Sequence, residues 1–214
     1  MPKLSRLLTI VAALLLAIAI ALPVWRIRLI APQYPEGLGM QIRLHTVEGV
    51  KEHDLANINE LNHYIGMRAI DPEVMPELRY LPWVVGALAA AGLAVAAAGR
   101  RRALYVWLAG FGAAAVAGLA DLWRWTYTYG HHLDTEHAII KVPGTVYQPP
   151  ILGTRQILNF TASSWPAAGG ILIVAAFVLA ATAAWMTTRR TTRRARVAGG
   201  GSSQLPARTA RLVT

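Results

Sequence analysis

The chain has 214 residues, 55% of them hydrophobic, and a mean hydropathy of +0.39, which is too apolar for an ordinary soluble domain. It contains no cysteine, so disulfides and thiolate metal sites are excluded. The formal net charge is +10, and the way in which this charge is divided along the chain bears on topology.

Four apolar runs predict four transmembrane helices, at 7–24, 81–98, 103–122 and 166–186, because each can cross roughly 30 Å of hydrocarbon. The first run resembles a secretory signal peptide, but it is long and lacks a small-x-small cleavage site, which favours an uncleaved anchor. The predicted fold is therefore mainly α. It is an integral membrane protein with four transmembrane helices and a small extracytoplasmic α/β cap built from two loops.

The charged residues predict that both termini are cytoplasmic. Segments 1–6, 99–102 and 187–214 hold twelve basic residues and no acid. All 11 acids and all six histidines fall in or at the edge of segments 25–80 and 123–165. Any chemistry is therefore expected on the extracytoplasmic face of a bacterial inner membrane. The arginine-rich tail 187–214 is predicted to be a disordered arm near anionic lipid, not a nucleic-acid site.

Segment 25–80 is expected to contain one strand and one helix. Apolar and polar residues alternate over 39–47, which predicts a strand. Over 52–67 the spacing predicts a helix that stops near Gly66, with two faces. Its apolar face carries Leu55, Ile58, Leu61 and Ile65, and its polar face carries Glu52, Asn59, His63 and Met67. Such a short segment is expected to pack against segment 123–165.

His63 and Met67 are the first candidate metal ligands, because imidazole and thioether suit a soft or borderline metal such as copper. The alternative is structural. Gly66 would be the left-handed residue that ends the helix, Met67 would make the closing apolar contact, and His63 would lie near the last carbonyls. Met40 is a further candidate ligand, with core filler as its alternative.

His131, Asp134 and His137 are spaced three residues apart, so on a helix they could line one wall. The alternative is a solvated polar loop. If the two outer segments pack together, His63 and His131 converge. His45 and His53 are the next ligands to test.

Five stretches, 34–38 (YPEGL), 59–67 (NELNHYIGM), 129–131 (YGH), 147–150 (YQPP) and 158–160 (LNF), together resemble a family of small bacterial membrane proteins. Some genes of that family lie near those for NosL-type copper chaperones and nitrous oxide reductase assembly. The resemblance covers both outer segments and the helices between them, but not the tail. It implies copper handling or cuproenzyme assembly, with copper as cofactor and a periplasmic copper chaperone or cuproenzyme as partner. In the family the residue after the Gly-His pair is usually not histidine, which favours His131 over His132.

No enzyme is predicted, because the chain has no nucleophile elbow, phosphate loop, dinucleotide fingerprint or heme-attachment motif. The alternatives to copper handling are a metal-free docking or scaffold subunit of a membrane complex and, second, a small transporter. Asp121 is expected to pair with Arg124, and the aromatic cluster 123–129 to lie at the lipid–water boundary. The alanine- and glycine-rich stretches 87–98 and 113–117 favour close helix packing, within one chain or in a homodimer.

Overall fold

The computed structural model describes residues 1–134, 136–140, 146–157 and 159–200, with 190–200 described by their backbone alone. Within these residues the helices are α1 (Lys3–Ala19), α2 (Asp54–Tyr64), α3 (Glu77–Ala98), α4 (Arg101–His131) and α5 (Ala168–Gly200), with a 3₁₀ turn at Pro72–Val74. The strands are β1 (Trp25–Ala31), β2 (Tyr34–Ile42), β3 (Val47–Gly49), β4 (Gly153–Ile157) and β5 (Phe160–Pro166). They form one antiparallel sheet in the order β3-β2-β1-β5-β4.

The prediction of a mainly α protein with four transmembrane helices is wrong. In the described part of the chain, three helices are long and apolar enough to cross a membrane: Glu77–Ala98, Arg101–His131 and Ala168–Arg189. The apolar run 7–24 is not a fourth, because α1 has only 17 residues. Pro23 disfavours helix at the residue before it, and the chain is a strand from Trp25 onwards. Three such helices are consistent with a membrane protein.

Most of the other predicted helix boundaries shift outwards, although α5 begins at Ala168 instead of residue 166. α3 begins at Glu77 instead of residue 81, and α4 runs on through the aromatic cluster to His131. α5 continues to Gly200, so the first part of the tail predicted to be disordered is helical. Residues 201–214 of that tail lie outside the described residues.

α1 packs along α3 and α5 through small side chains. Ala12 and Ala13 of α1 are fully buried, and a Cβ placed on Gly92 of α3 would lie 3.0 Å from the Ala13 Cβ. On the α5 side, the Thr187 hydroxyl donates to the Ser5 hydroxyl at 3.2 Å. The close packing predicted for stretch 87–98 is confirmed.

Both outer segments contribute to the sheet, which confirms that they pack against each other. β1 is the central strand and pairs with β2 on one side and with β5 on the other. The Trp25 indole N–H donates to the Ser164 hydroxyl at 2.7 Å. The sheet is also joined directly to the helices, because the Gly169 N–H at the start of α5 donates to the Pro23 carbonyl at 2.8 Å.

α2 ends as the structural alternative for Gly66 predicts. Gly66 has a φ of 76°, and its N–H donates to the His63 carbonyl while the Met67 N–H donates to the Asn62 carbonyl. These two bonds form a Schellman cap. At the other end, the buried Asp54 carboxylate accepts the Gly39 N–H of β2 at 2.9 Å and the Lys51 N–H at 3.1 Å. α2 is thereby fixed against the sheet.

Candidate functional site: an apolar cavity beneath the cap

An apolar cavity of about 420 Å³ lies between the sheet and the helices. It is lined by residues of both hydrophobic cores, one mainly among the helices and one between α2 and the sheet. Its wall includes side chains of the sheet, of α3 and of α4: Ile27, Leu29, Met40, Leu81, Val85, Leu88, Phe111, Ala115 and Leu119.

The cavity exists because the middle of α4 stands away from the other helices. Every residue of α4 is described, and none is buried between Phe111 and Thr126. Ala115 and Gly118 face the cavity, and a Cβ on Gly118 would meet no protein atom within 4 Å. Residues 113–117 therefore line the cavity or are exposed instead of packing closely within the chain. A homodimer remains a prediction.

The cavity opens sideways between the helices. Three of its wall residues, one each from α3, α4 and α5, stay largely exposed: Val84 at 43%, Leu119 at 49% and Val174 at 59%. All three belong to helices that are apolar enough to span a membrane. In a bilayer, this opening would face lipid chains instead of water.

Polar groups occur in the cavity wall at the cap end of α3 and α4. The Arg124 guanidinium bonds to the Asp121 carboxylate at 2.8 Å and also to the Glu77 carboxylate. The predicted Asp121–Arg124 pair is confirmed. The ion pair between Glu77 and Arg124 could not be predicted from the sequence. The two residues are 47 positions apart and meet only because α3 packs beside α4.

Two polar atoms in this wall are buried and have no hydrogen-bond partner among the described residues. They are Oε2 of Glu77 and the hydroxyl of Tyr147, whose side chain is 4% exposed. Leaving such an atom unpaired costs roughly 1–3 kcal/mol. The neighbouring Tyr129 hydroxyl, by contrast, donates to the Ala69 carbonyl at 3.3 Å.

The position of Tyr147 in the cavity wall depends on Gly130. The Tyr147 N–H donates to the Gly130 carbonyl at 3.1 Å, and a Cβ on Gly130 would lie 2.5 Å from the backbone of Gln148. Only glycine allows the end of α4 and residues 147–150 to cross this closely. The YGH and YQPP stretches therefore form one backbone crossing beside the cavity.

The candidate metal ligands are dispersed. Met40 is buried in the core between α2 and the sheet, and Met67 lines the cavity. His63 is exposed on α2. His131 is exposed at the end of α4, where its ring stacks on Tyr127 with centroids 3.8 Å apart and its Nδ1 lies 2.9 Å from the Tyr127 carbonyl.

Asp134 and His137 do not continue the helix with His131. They form a turn in which the Asp134 carboxylate accepts the backbone N–H of His137 and contacts the His137 Nδ1 at 2.8 Å. These contacts lower the pKa of Asp134 below its usual value, with the backbone bond as the larger cause.

This turn docks on the end of α2. The Asp134 N–H donates to the Gly66 carbonyl at 2.7 Å, and the Ile140 N–H donates to the Tyr64 carbonyl at 2.9 Å. Ile139 lines one shallow hollow together with His63. The residues that contact the end of α2 therefore come from this turn, and not from His131, which was expected to converge with His63.

The predicted ligands do not form one copper centre. Among the described residues, no three His, Asp or Glu side chains are grouped closely enough to hold a metal ion. Both thioethers lie on the apolar side of the cap, whereas the histidines, including His45 and His53, are exposed. Only His63, Asp134 and His137 occupy adjoining segments.

No protein-family model matches the chain, and the search of curated proteins found no match either.

Proposed function

We propose that this protein binds the hydrocarbon chain of a membrane lipid in the cavity beneath the cap. The observation that carries the proposal is the apolar cavity of about 420 Å³ that opens sideways between candidate membrane spans. Its volume falls in the range of roughly 300–1,000 Å³ that is typical of small-molecule sites. An apolar cavity next to a bilayer is a favourable place for a lipid chain, because its lining side chains offer the chain dispersion contacts.

The proposed orientation puts the cap and the cavity on the extracytoplasmic side of a bacterial inner membrane. The Met1 amine donates to the Gly99 carbonyl at 2.8 Å, so the N-terminus lies beside the α3–α4 turn and the arginines at 100–102. The positive-inside rule favours a cytoplasmic location for this end. Trp83, Trp123 and Trp165 are exposed near the cap, as expected at a lipid–water boundary. A lipid of the outer leaflet would then reach the cavity directly.

The test is native mass spectrometry of the protein purified in a mild detergent. Gly118→Trp places a large ring at a position that lines the cavity. Gly110→Trp is the matched control, since it also has nothing within 4 Å of its Cβ on the same helix but does not line the cavity. We expect lipid-mass adducts on the wild type and on Gly110→Trp, and their loss in Gly118→Trp. Equal adducts on all three proteins, or none on the wild type, would contradict the proposal.

We propose copper handling as a second function, because the Asp134–His137 turn adjoins the end of α2 that carries His63. Imidazole and carboxylate donors without a thioether suit Cu(II) better than Cu(I). His137 and Asp134, whose side chains are in contact at 2.8 Å, would bind the metal first. His63 would join them only if the turn and the end of α2 moved closer together, because no three such side chains are grouped closely enough among the described residues. The metal would be held for a periplasmic copper chaperone or cuproenzyme.

Calorimetric titration with Cu(II) tests this second proposal. We expect one equivalent of Cu(II) to bind the wild type. The affinity for Cu(II) should fall at least tenfold in His63→Ala and in His137→Ala. His45→Ala serves as the control, since His45 is exposed on another part of the cap. Absence of binding to the folded wild type would leave the cap as a metal-free docking surface.

A further inference from the structure

We infer that the lipid held in this cavity has an uncharged head that carries a hydroxyl group, recognised by Tyr147 and Glu77. The inference rests on the proposed function and adds the chemistry of the polar end. A monoacylglycerol is an example of such a ligand.

Tyr147 supplies the first part of the recognition. Its side chain lines the cavity, and its hydroxyl is buried without a partner among the described residues. A phenol both donates and accepts a hydrogen bond. Because buried hydroxyls are normally paired, a polar ligand atom that enters here would gain a bond for which no described residue competes.

Glu77 supplies the second part. One of its carboxylate oxygens bonds to Arg124, and the other is buried and has no partner among the residues that the structure describes. The free oxygen only accepts hydrogen bonds, so it selects a donor on the ligand. A ligand hydroxyl can donate to Glu77, and a ligand hydroxyl can equally accept from Tyr147.

Charge excludes an anionic head. Arg124 is already shared by the carboxylates of Glu77 and Asp121. The cluster therefore holds one positive and two negative charges when all three groups are ionised. A phosphate or free carboxylate head placed against the buried Glu77 oxygen would be repelled, since two negative charges in contact repel each other. An uncharged head avoids this repulsion.

The polar and apolar parts of the cavity match the shape of a lipid. Glu77 is the first residue of α3, and Tyr147 is bonded to the C-terminal turn of α4, so both belong to the cap end. Leu88 and Phe111 line the cavity deeper among the helices. A head placed at Tyr147 and Glu77 would direct its chain towards these residues.

The experiment is a competition between two lipids that share one chain. The purified protein in detergent is offered equal amounts of monooleoylglycerol and oleoyl-lysophosphatidic acid, and the ratio of bound species is read by native mass spectrometry. We expect the wild type to prefer the uncharged lipid by about tenfold, the effect of one charge-assisted hydrogen bond. Tyr147→Phe removes one hydrogen bond to the head group, so it should lower the amount of bound monooleoylglycerol several-fold. Tyr129→Phe, which removes a hydroxyl already bonded to Ala69, should leave that amount unchanged.

Glu77→Gln tests the charge argument, because it should change the binding of the two lipids in opposite directions. This substitution removes one of the two carboxylates on Arg124, so binding of the phosphate lipid should increase while that of the uncharged lipid decreases. A wild-type ratio near one, or binding of monooleoylglycerol that Tyr147→Phe does not weaken, would overturn the inference while chain binding stands. Binding of neither lipid to the wild type would defeat the proposed function itself.

Discussion

Gly66 and Gly130 determine how single residues of the cap are placed. Each stands where two backbones cross, and a Cβ at either would lie 2.5 Å from a backbone atom of the facing segment. The sequence allowed the left-handed end of α2 at Gly66 to be anticipated as an alternative to metal binding. It gave no sign that the Gly66 carbonyl would receive the N–H of Asp134, because that contact spans 68 residues.

Gly66→Ala is expected to destabilise the protein by at least about 1–2 kcal/mol, since a left-handed backbone with a Cβ costs that much before any clash. Gly110→Ala is the control, because it sits in a helix with nothing within 4 Å. Thermal unfolding in detergent, followed by circular dichroism, should show a lower Tm for the first variant only. Equal Tm values would contradict the close crossing.

Helical spacing alone predicted the wrong position for Met67, on the polar face of the helix. The faces of α2 were predicted correctly for Ile58 and Ile65, which are buried, and for His63, which is exposed. α2 ends at Tyr64, however, so Met67 lies past the Schellman cap and follows a new direction into the cavity wall. A period of 3.6 residues predicts a face only as far as the helix continues.

The Asp134–His137 turn should depend on pH. The pKa of Asp134 is lowered in the folded state, so its ionised carboxylate stabilises the fold. This stabilisation is fully present above the ordinary pKa of about 3.9. That stabilisation is lost as the pH falls through the lower folded pKa. NMR titration should show the amide resonances of Glu136 and His137 constant down to about pH 4 and shifting below it. A midpoint at or above the ordinary value would contradict the hydrogen bonds at this turn.

At the scale of secondary-structure elements, the five-stranded sheet is the main feature that was not predicted from the sequence. Residues 25–29 alternate aromatic or aliphatic with arginine, which is a strand pattern, but the apolar run just before them suggested a helix that reached residue 24. β5 pairs with β1 across more than 130 residues, and such a partner leaves no local signal. The strand predicted over 39–47 was in part correct, since β2 covers its first residues.

Asp54 should be the residue that most strongly couples α2 to this sheet. Asp54→Ala removes the acceptor for the N–H groups of Gly39 and Lys51, so we expect a loss of about 2–3 kcal/mol. Asp71→Ala is the control, because Asp71 caps only the exposed 3₁₀ turn. Hydrogen exchange should speed up at Gly39 in the first variant and stay unchanged in the second. Unaltered exchange at Gly39 in both variants would argue against the coupling.

At the scale of the whole molecule, the charge distribution predicts sidedness. The chain has no native cysteine, so single cysteines can be introduced without background. Lys3→Cys and Arg102→Cys should be protected from a membrane-impermeant maleimide added to intact cells, whereas His45→Cys and Thr154→Cys should react. Labelling of all four, or of the first two alone, would contradict the proposed orientation.

The cavity could not have been predicted from the sequence. Apolar and small residues in α4 are equally compatible with tight packing, and the prediction for 113–117 assumed it. The space arises only because α4 diverges from the bundle after Phe111 while the sheet covers its far end. The absence of three-residue metal clusters among the described residues depends likewise on how the cap folds.

The most direct test of lipid binding uses a lipid with a photoactivatable diazirine in its chain, incorporated into nanodiscs with the protein. After illumination, the labelled residues are mapped by mass spectrometry. We predict labelling of Met40 and Ile42 on the underside of the sheet and of Leu88 within the helices, all of which line the cavity. Val106 and Val178 are exposed on the helix surfaces and do not line the cavity, so they report ordinary contact with the bilayer. Labelling confined to such surface positions would contradict a lipid chain in the cavity.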